Sequence, residues 1–157
     1  MLVDCRSRLS RRLLARTGES IEQIVYPNGQ YIAYSYDNVG NLSSRSTADG
    51  SWSYGYDANQ NLTSVTDTTG KTTTYSYDVN NRLSKTTYPD GTAGYREYDV
   101  NGHLLQIAWK NGNGTILNGT VYTLLPNGQR QTLTRYDSSS QLSVTTLSYT
   151  TSTGTAT

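Results

Sequence analysis

Tyrosine recurs at every second position in three short stretches of this chain. The stretches are Tyr34-Ser35-Tyr36, Tyr54-Gly55-Tyr56 and Tyr75-Ser76-Tyr77. Successive side chains of a β-strand point to opposite faces, so each tyrosine pair predicts a strand with both rings on one face. Tyr and Thr both favour strands, which supports the same interpretation.

A turn motif follows these strands and returns at a nearly fixed interval. A Tyr-Asp pair is followed by Leu five residues after the Asp in five places. Asp residues at 37, 57, 78 and 99 are spaced by 20, 21 and 21 residues, and 38 residues then separate Asp99 from Asp137. A period near twenty residues predicts a repeat array. The motif residues are Tyr36, Asp37, Gly40 and Leu42; Tyr56, Asp57 and Leu62; Tyr77, Asp78 and Leu83; Tyr98, Asp99, Gly102 and Leu104; and Tyr136, Asp137 and Leu142.

A second series of turn signals lies between the Tyr-Asp turns. It contains Pro27-Asn28-Gly29, Asp49-Gly50, Thr69-Gly70, Pro89-Asp90-Gly91 and Gly112-Asn113-Gly114. Each repeat is therefore predicted to contain two strands of about six residues and two tight turns. The Asp-Gly and Asn-Gly pairs favour primed hairpin turns, which need positive φ. The whole chain is predicted to be all-β, with five or six antiparallel hairpins and almost no helix after residue 25.

The ends of the chain depart from this regularity. Residues 3–9 keep Asp and Leu at the motif spacing but have Val in the Tyr position, and residues 11–16 fit either a strand or a short helix. We therefore expect a degenerate or frayed repeat over 1–25, the regular array over 26–147 and a flexible tail over 148–157. Because the chain opens inside a degenerate repeat, we expect either a fragment of a longer array or an array whose N-terminal neighbours were lost.

Composition restricts the functional classes. Only 34% of residues are apolar, and the chain has 14 Tyr but no Phe. The net charge of +1 gives no general case for a nucleic-acid partner or an anionic membrane. No apolar run is long enough for a membrane span, and no signal peptide is recognisable. The single cysteine, Cys5, excludes an internal disulfide.

The repeated Asp is the first candidate for chemistry. An Asp at the end of a strand can accept backbone N–H bonds within the turn, and we expect this structural role. Residues 57–61 also resemble the start of a calcium-binding loop, but Leu62 and Thr68 stand where the required Gly and Glu would be. His103 occupies a variable turn position, so we expect exposed turn surface rather than a general base. No catalytic residue, metal ligand or cofactor site is predicted.

The aromatic residues leave two alternatives open. Trp52, Trp109 and the tyrosine pairs can form a sugar-stacking surface, or they can form the packed face of the sheet. Tyrosine pairs across neighbouring strands are an ordinary source of sheet stability, which favours the second alternative.

The Tyr-Asp-x-x-Gly-Asn/Arg-Leu unit resembles the YD repeats of the RHS family. That family includes RHS toxins, the shells of Tc toxins, wall-associated contact toxins and teneurins. The resemblance is close over 26–104, looser over 121–147, and limited to one worn copy over 3–9. It implies a curved, open segment of a spiral β-hairpin shell, neighbouring YD repeats or an enclosed toxin domain as partners, and an extracellular or cell-surface location. The family's cleavage segment contains Asp-Pro, which this chain lacks, so autoproteolysis is not carried over.

Two functions follow as hypotheses. The chain is a non-catalytic structural segment of a shell within a larger secreted or delivered toxin-type protein, or it is a module that binds cell-surface carbohydrate. About twelve strands at about 4.8 Å spacing are roughly 58 Å wide, which would close into a ring only about 18 Å across. A folded domain of about 100 residues has a radius of gyration near 13 Å and would not fit inside. We therefore expect one wall of a longer spiral.

Overall fold

The computed structural model describes residues 12–15, 21–138 and 143–146. Thirteen strands lie in these segments, and they contain no helix. The strands are β1 (Arg12–Ala15), β2 (Ile21–Val25), β3 (Tyr31–Tyr36), β4 (Leu42–Thr47), β5 (Gly50–Tyr56), β6 (Leu62–Thr66), β7 (Thr72–Tyr77), β8 (Leu83–Thr87), β9 (Ala93–Tyr98), β10 (Leu104–Lys110), β11 (Ile116–Leu124), β12 (Arg130–Asp137) and β13 (Ser143–Thr146). The all-β prediction is confirmed.

The strands divide between two compact units, Met1–Thr74 and Tyr75–Thr157, with the boundary inside β7. In the first unit, β1 to β7 follow one another in chain order, and each pairs antiparallel with the next. In the second unit, β8 to β13 do the same. Within the described segments, no pairing closes the first strand of a unit on its last. The sequence prediction of consecutive hairpins is therefore confirmed.

Nearly all the described turns share one backbone geometry, which differs from the prediction of primed turns. In residues 88–92, the N–H of Tyr88 donates to the carbonyl of Thr92, and the N–H of Gly91 donates to the carbonyl of Tyr88. Gly91 has φ of 82°, but Asp90 is not among the residues with positive φ. This is a three-residue loop, which needs positive φ at one residue, whereas a type I′ turn needs it at two. Such loops combine a type I turn with a bulge and also match strand twist.

The turn between β4 and β5 is the exception to this geometry. Thr47 pairs with Gly50, so Ala48 and Asp49 form a two-residue loop, and neither has positive φ. Gly50 opens β5 with φ of 132°. The primed-turn prediction is therefore wrong here too.

The two faces of the sheet in the first unit differ in chemistry. One row across the strands is Tyr34, Arg45 and Trp52, so rings and a guanidinium lie on this face. The adjacent row on the opposite face consists of hydroxyl residues. These are Ser35, Ser44, Ser53, Thr66 and Thr72. The alternation of Tyr with Ser or Thr predicted this separation of faces.

No described side chain is fully buried, and the best-covered residues lie in the second unit. Ala93 is 4% exposed, Ala108 is 3% exposed and Thr86 is 4% exposed. Small residues can be covered on a sheet by the larger side chains of neighbouring strands. Stability in each unit therefore depends on strand pairing and cross-strand contacts rather than on a deep apolar core.

The structure also decides one alternative near the N-terminus, because Arg12–Ala15 is a strand paired with β2. Residues 3–9, Leu142 and the tail over 148–157 lie outside the described residues. The division at residues 25/26 and 147/148 stays a prediction.

Candidate functional site

Five turns within the described residues begin with an Asp whose carboxylate organises the loop; we call them the Asp turns. In residues 57–61, Oδ1 of Asp57 accepts the backbone N–H of Asn59 at 2.9 Å and that of Asn61 at 2.9 Å. The same two positions donate to the Asp in all five, at 37–41, 57–61, 67–71, 78–82 and 99–103. Each carboxylate thus satisfies two backbone donors that the tight loop leaves free.

The residue four positions after the Asp supplies a third donor in four of these turns. Asn41, Asn61 and Arg82 donate side-chain N–H groups to Oδ2 of their Asp, at 3.0, 3.1 and 2.7 Å. His103 Nδ1 lies 2.8 Å from Oδ2 of Asp99, and its side chain is 42% exposed. This position appeared variable in the sequence, but every occupant described here carries an N–H group. That shared donor was the missed signal.

Asp67 was also missed from the sequence. It forms the same cap in residues 67–71, and the hydroxyl of Thr69 adds a bond of 2.7 Å. No Tyr precedes it, so it escaped the Tyr-Asp pattern. Its position three residues before Gly70 is the signal that would have found it. Asn111 makes a neutral version, because its Oδ1 accepts the N–H of Thr115 at 2.8 Å.

Three turns with Pro in the second position are capped from a different place. Their first residue is Tyr or Leu, which has no carboxylate. The third residue accepts the N–H of the fifth instead, as Asp90 does from Thr92 at 2.8 Å. Asn28 and Asn127 act in the same way toward Gln30 and Gln129, both at 3.1 Å. The backbone N–H of the fifth turn residue is therefore bonded either by an Asp or Asn in the first position or by an Asp or Asn in the third position.

These bonds lower the pKa of all five Asp-turn carboxyls. For Asp57, the side chain of Asn61 contributes most, and for Asp99 the His103 ring does. The Asp67 pKa falls chiefly through the Thr69 hydroxyl, and the Asp78 pKa through the backbone N–H of Arg82. For Asp37, partial burial raises the pKa, but hydrogen bonds led by Asn41 outweigh it. Ionised carboxylates are thus the preferred acceptors in the folded turns.

In the second unit, Arg82 links one Asp turn to the next. Its Nε bonds Asp78, and its Nη1 donates to the backbone carbonyl of Asp99 at 2.8 Å. The guanidinium also lies 4.7 Å from the ring centroid of Tyr98, whose hydroxyl donates to the carbonyl of Leu83 at 3.0 Å. Motif residues of successive repeats therefore contact one another.

The Tyr and Leu positions of the first four motif copies flank their Asp turns and are half-buried. Tyr36 pairs with Leu42, Tyr56 with Leu62 and Tyr98 with Leu104. Tyr77 and Leu83 end β7 and begin β8.

The fifth copy has a different place in the array. Tyr136 and Asp137 end β12, an even-numbered strand, whereas the other four Asp turns of the motif follow odd-numbered strands. In the second unit, Asp137 therefore lies at the opposite end of the strands from Asp78 and Asp99, because neighbouring strands are antiparallel. The odd spacing of 38 residues in the sequence corresponds to this change of phase.

The sequence profile described as RHS Repeat matches residues 21–51 and 56–93. The chain carries RHS repeats in these two segments. Curated protein sequences gave no match to it.

Solved structures with the same fold are components of Tc complexes. The crystal structure of TcdB2-TccC3 matches with a TM-score of 0.59 and 14% identity, over 69% of this chain and 6% of that one. A Tc holotoxin pore of Photorhabdus luminescens, with a variant TccC3, matches with a TM-score of 0.57 and 15% identity, over 72% of this chain and 6% of that one. This chain thus spans a small part of the length of these proteins, and the likeness concerns the fold.

Each of the two tryptophans has a neighbouring group on a face of its ring. The Arg45 guanidinium carbon lies 4.7 Å from the ring centroid of Trp52. Trp109 is paired with Gly94, whose missing side chain leaves room for the ring, and it stacks on Tyr88 at 5.9 Å between centroids. A sugar ring would have to use the remaining surfaces.

Within the described part of the chain, no group of three or more His, Cys, Asp or Glu side chains is arranged to hold a metal ion. Both oxygens of Asp57 already accept hydrogen bonds within the turn, which leaves calcium no uncommitted carboxylate there. The described segments contain no helix with the length and apolar content that a membrane-spanning helix requires.

Proposed function

We propose that this chain is a non-catalytic structural segment of a β-shell built from RHS repeats. The observation that carries the proposal is the absence of a deep core among the described residues. Within each unit the strands pair with their sequence neighbours, and no described side chain is fully buried. Repeat arrays of this kind derive stability from nearest-neighbour interfaces, so each unit is suited to continue from further repeats.

The outermost strands support the same role. β13 has a described partner, β12, on one side only. Strand edges carry unpaired N–H and C=O groups, which bind a further strand readily. We expect neighbouring YD repeats of a longer protein as the partners at these edges; the alternative partner is a toxin domain enclosed by that longer protein.

The wider context is an expectation from the family resemblance. The matched Tc structures are those of much longer chains, of which this one spans about a sixteenth. A secreted or delivered toxin-type protein, located outside the cell or at the cell surface, is the setting in which a shell segment would act.

The test is the association of the chain in dilute solution. We expect concentration-dependent association in sedimentation velocity, and a reduced association in Thr145→Lys, because a lysine on an edge strand discourages edge pairing. Ala58→Lys adds the same charge at an exposed turn and serves as the matched control. A compact monomer at all concentrations, whose small-angle scattering indicates a sealed interior large enough for a protein domain, would overturn the proposal.

The carbohydrate alternative receives less support, because Arg45, Gly94 and Tyr88 already occupy ring surfaces of the two tryptophans. Glycan-array binding that disappears in the double variant Trp52→Ala/Trp109→Ala would favour it over a purely structural role.

A further inference from the structure

A small pocket lies on one face of the second unit, across β9 to β12. Its volume is about 120 Å³. That is room for several water molecules, or for about one amino-acid side chain. Residues around it include Tyr95, Glu97, Gln106, Ala108, Lys110 and Tyr136.

Strand pairing explains why the pocket exists. Tyr95, Ala108, Gly119 and Tyr136 form one cross-strand row, in which two small residues separate two large rings. Ala108 is 3% exposed and makes the floor. The Tyr136 ring lies against Gly119, and its hydroxyl accepts a bond of 2.9 Å from Nε2 of Gln106. Packing against Gly119 and this hydrogen bond hold the Tyr136 ring in place as one wall of the pocket.

Two lysines bring positive charge to the Tyr95 ring, which forms one side of the pocket, and Lys110 also lines the pocket itself. Nζ of Lys85 lies 5.3 Å, and Nζ of Lys110 4.9 Å, from the ring centroid of Tyr95. They come from β8 and β10, the strands on either side of Tyr95. Both lysines are half-buried, and the structure gives neither an ion pair with a described residue. A partly desolvated ammonium attracts an anion more strongly than a fully hydrated one.

We propose that this pocket binds an acidic side chain, Glu or Asp, of a partner polypeptide segment. The carboxylate would reach Lys110, which lines the pocket, while Lys85, on the neighbouring strand beyond Tyr95, would add to the attraction from a longer distance. Its methylene groups would contact Ala108 and the tyrosine rings. A sugar acid fits less well, because the two ammonium groups already cover the Tyr95 ring from both neighbouring strands. Glu97, at the pocket rim, would oppose the anion and so limit its affinity.

The test uses the full chain and a fluorescein-labelled oligoglutamate peptide, with binding followed by fluorescence anisotropy at low salt. Lys110→Gln should weaken binding about tenfold, the scale of one hydrogen bond to a charged group. Lys85→Gln should also weaken binding of the peptide. Glu97→Gln should tighten binding, because it removes a negative charge from the rim without changing the shape.

Lys71→Gln is the matched control, since Lys71 is an exposed lysine of the first unit. Its variant should bind as the parent does, and all variants should keep the parental circular dichroism spectrum. An equal loss in Lys71→Gln would indicate nonspecific charge attraction and overturn the proposal. So would the absence of binding, an unchanged affinity in Glu97→Gln, or equal competition by oligogalacturonate, a carbohydrate that carries the same carboxylate charge.

Discussion

The contact between Gly94 and Trp109 offers a sensitive test of how the second unit is packed. A Cβ atom at position 94 would lie 2.9 Å from Cζ3 and 3.1 Å from Cη2 of the Trp109 ring. These distances are shorter than ordinary van der Waals contacts, and the atoms concerned belong to a rigid indole. The substitution Gly94→Ala therefore forces the ring off its site and disturbs its stack on Tyr88.

Two effects of opposite sign set the magnitude. Overpacking of this kind typically costs about 1–3 kcal/mol. Alanine in place of glycine also reduces the freedom of the unfolded chain, which stabilises by about 0.4–1 kcal/mol where φ is ordinary. Gly94 has no positive φ. The net expectation is a loss of about 1–2 kcal/mol in the free energy of unfolding, or a fall in Tm of roughly 2–8 °C for a chain of this size.

A double-mutant cycle in urea, followed by far-UV circular dichroism, separates the two effects. In a Trp109→Ala background the clash is absent, so Gly94→Ala should now stabilise by about 0.4–1 kcal/mol. Gly112→Ala is the control, because its nearest neighbour is 3.7 Å away and its φ is not positive. It should be neutral or slightly stabilising. If Gly94→Ala stabilises the parent as much as it does the Trp109→Ala variant, the ring does not rest on Gly94 and the reasoning fails.

Three further predictions concern the turns. The Asp-turn carboxyls have a pKa below the unfolded value of about 3.9, so the stability they contribute is complete above about pH 5 and is lost as the pH falls through 3.9 toward the folded values. The urea midpoint should therefore drop between about pH 5 and pH 2.5, and less steeply in Asp57→Asn; a midpoint that rises on acidification would contradict this. Asp57→Ala should lower Tm while added calcium leaves Tm unchanged in both proteins, and a calcium-dependent rise confined to the parent would support the metal alternative. Gln60 has φ of 65°, so Gln60→Gly should raise the free energy of unfolding by up to about 1 kcal/mol. Ala58→Gly should lower it in the same melt.

Local chemistry accounts for what the sequence predicted correctly. Alternating Tyr and Ser or Thr determine the strands and their two faces, because side-chain direction has period two in any strand. The Tyr-Asp interval predicts consecutive hairpins, because a turn requires its own residues at a fixed place in each repeat. The RHS resemblance, read from Tyr36, Asp37 and their copies, agrees with the family match over 21–51 and 56–93.

The predictions of turn type and of turn caps were wrong or incomplete where different sequences form the same backbone turn. Asp-Gly and Asn-Gly are compatible with primed turns, but the loops that formed need positive φ at one position only, as at Gly91. Asp67 was missed because its cap does not depend on a preceding Tyr. Loop type is decided by strand register on both sides of the turn, and register is a property of the paired sheet.

The sequence by itself therefore determined the regular strands, their consecutive order and the Asp caps at 37, 57, 78 and 99, since each of these depends on neighbours within about five positions along the chain. Only the tertiary structure decided which distant side chains meet. Arg82 reaches Asp99 across 17 residues, and Gln106 reaches Tyr136 across 30. The same pairing places Lys85 and Lys110 beside Tyr95 and moves Asp137 to the other end of the strands from Asp99. The physical reason is that antiparallel register, which depends on the paired strands and not on one stretch of chain, brings these residues together through hydrogen bonds between strands.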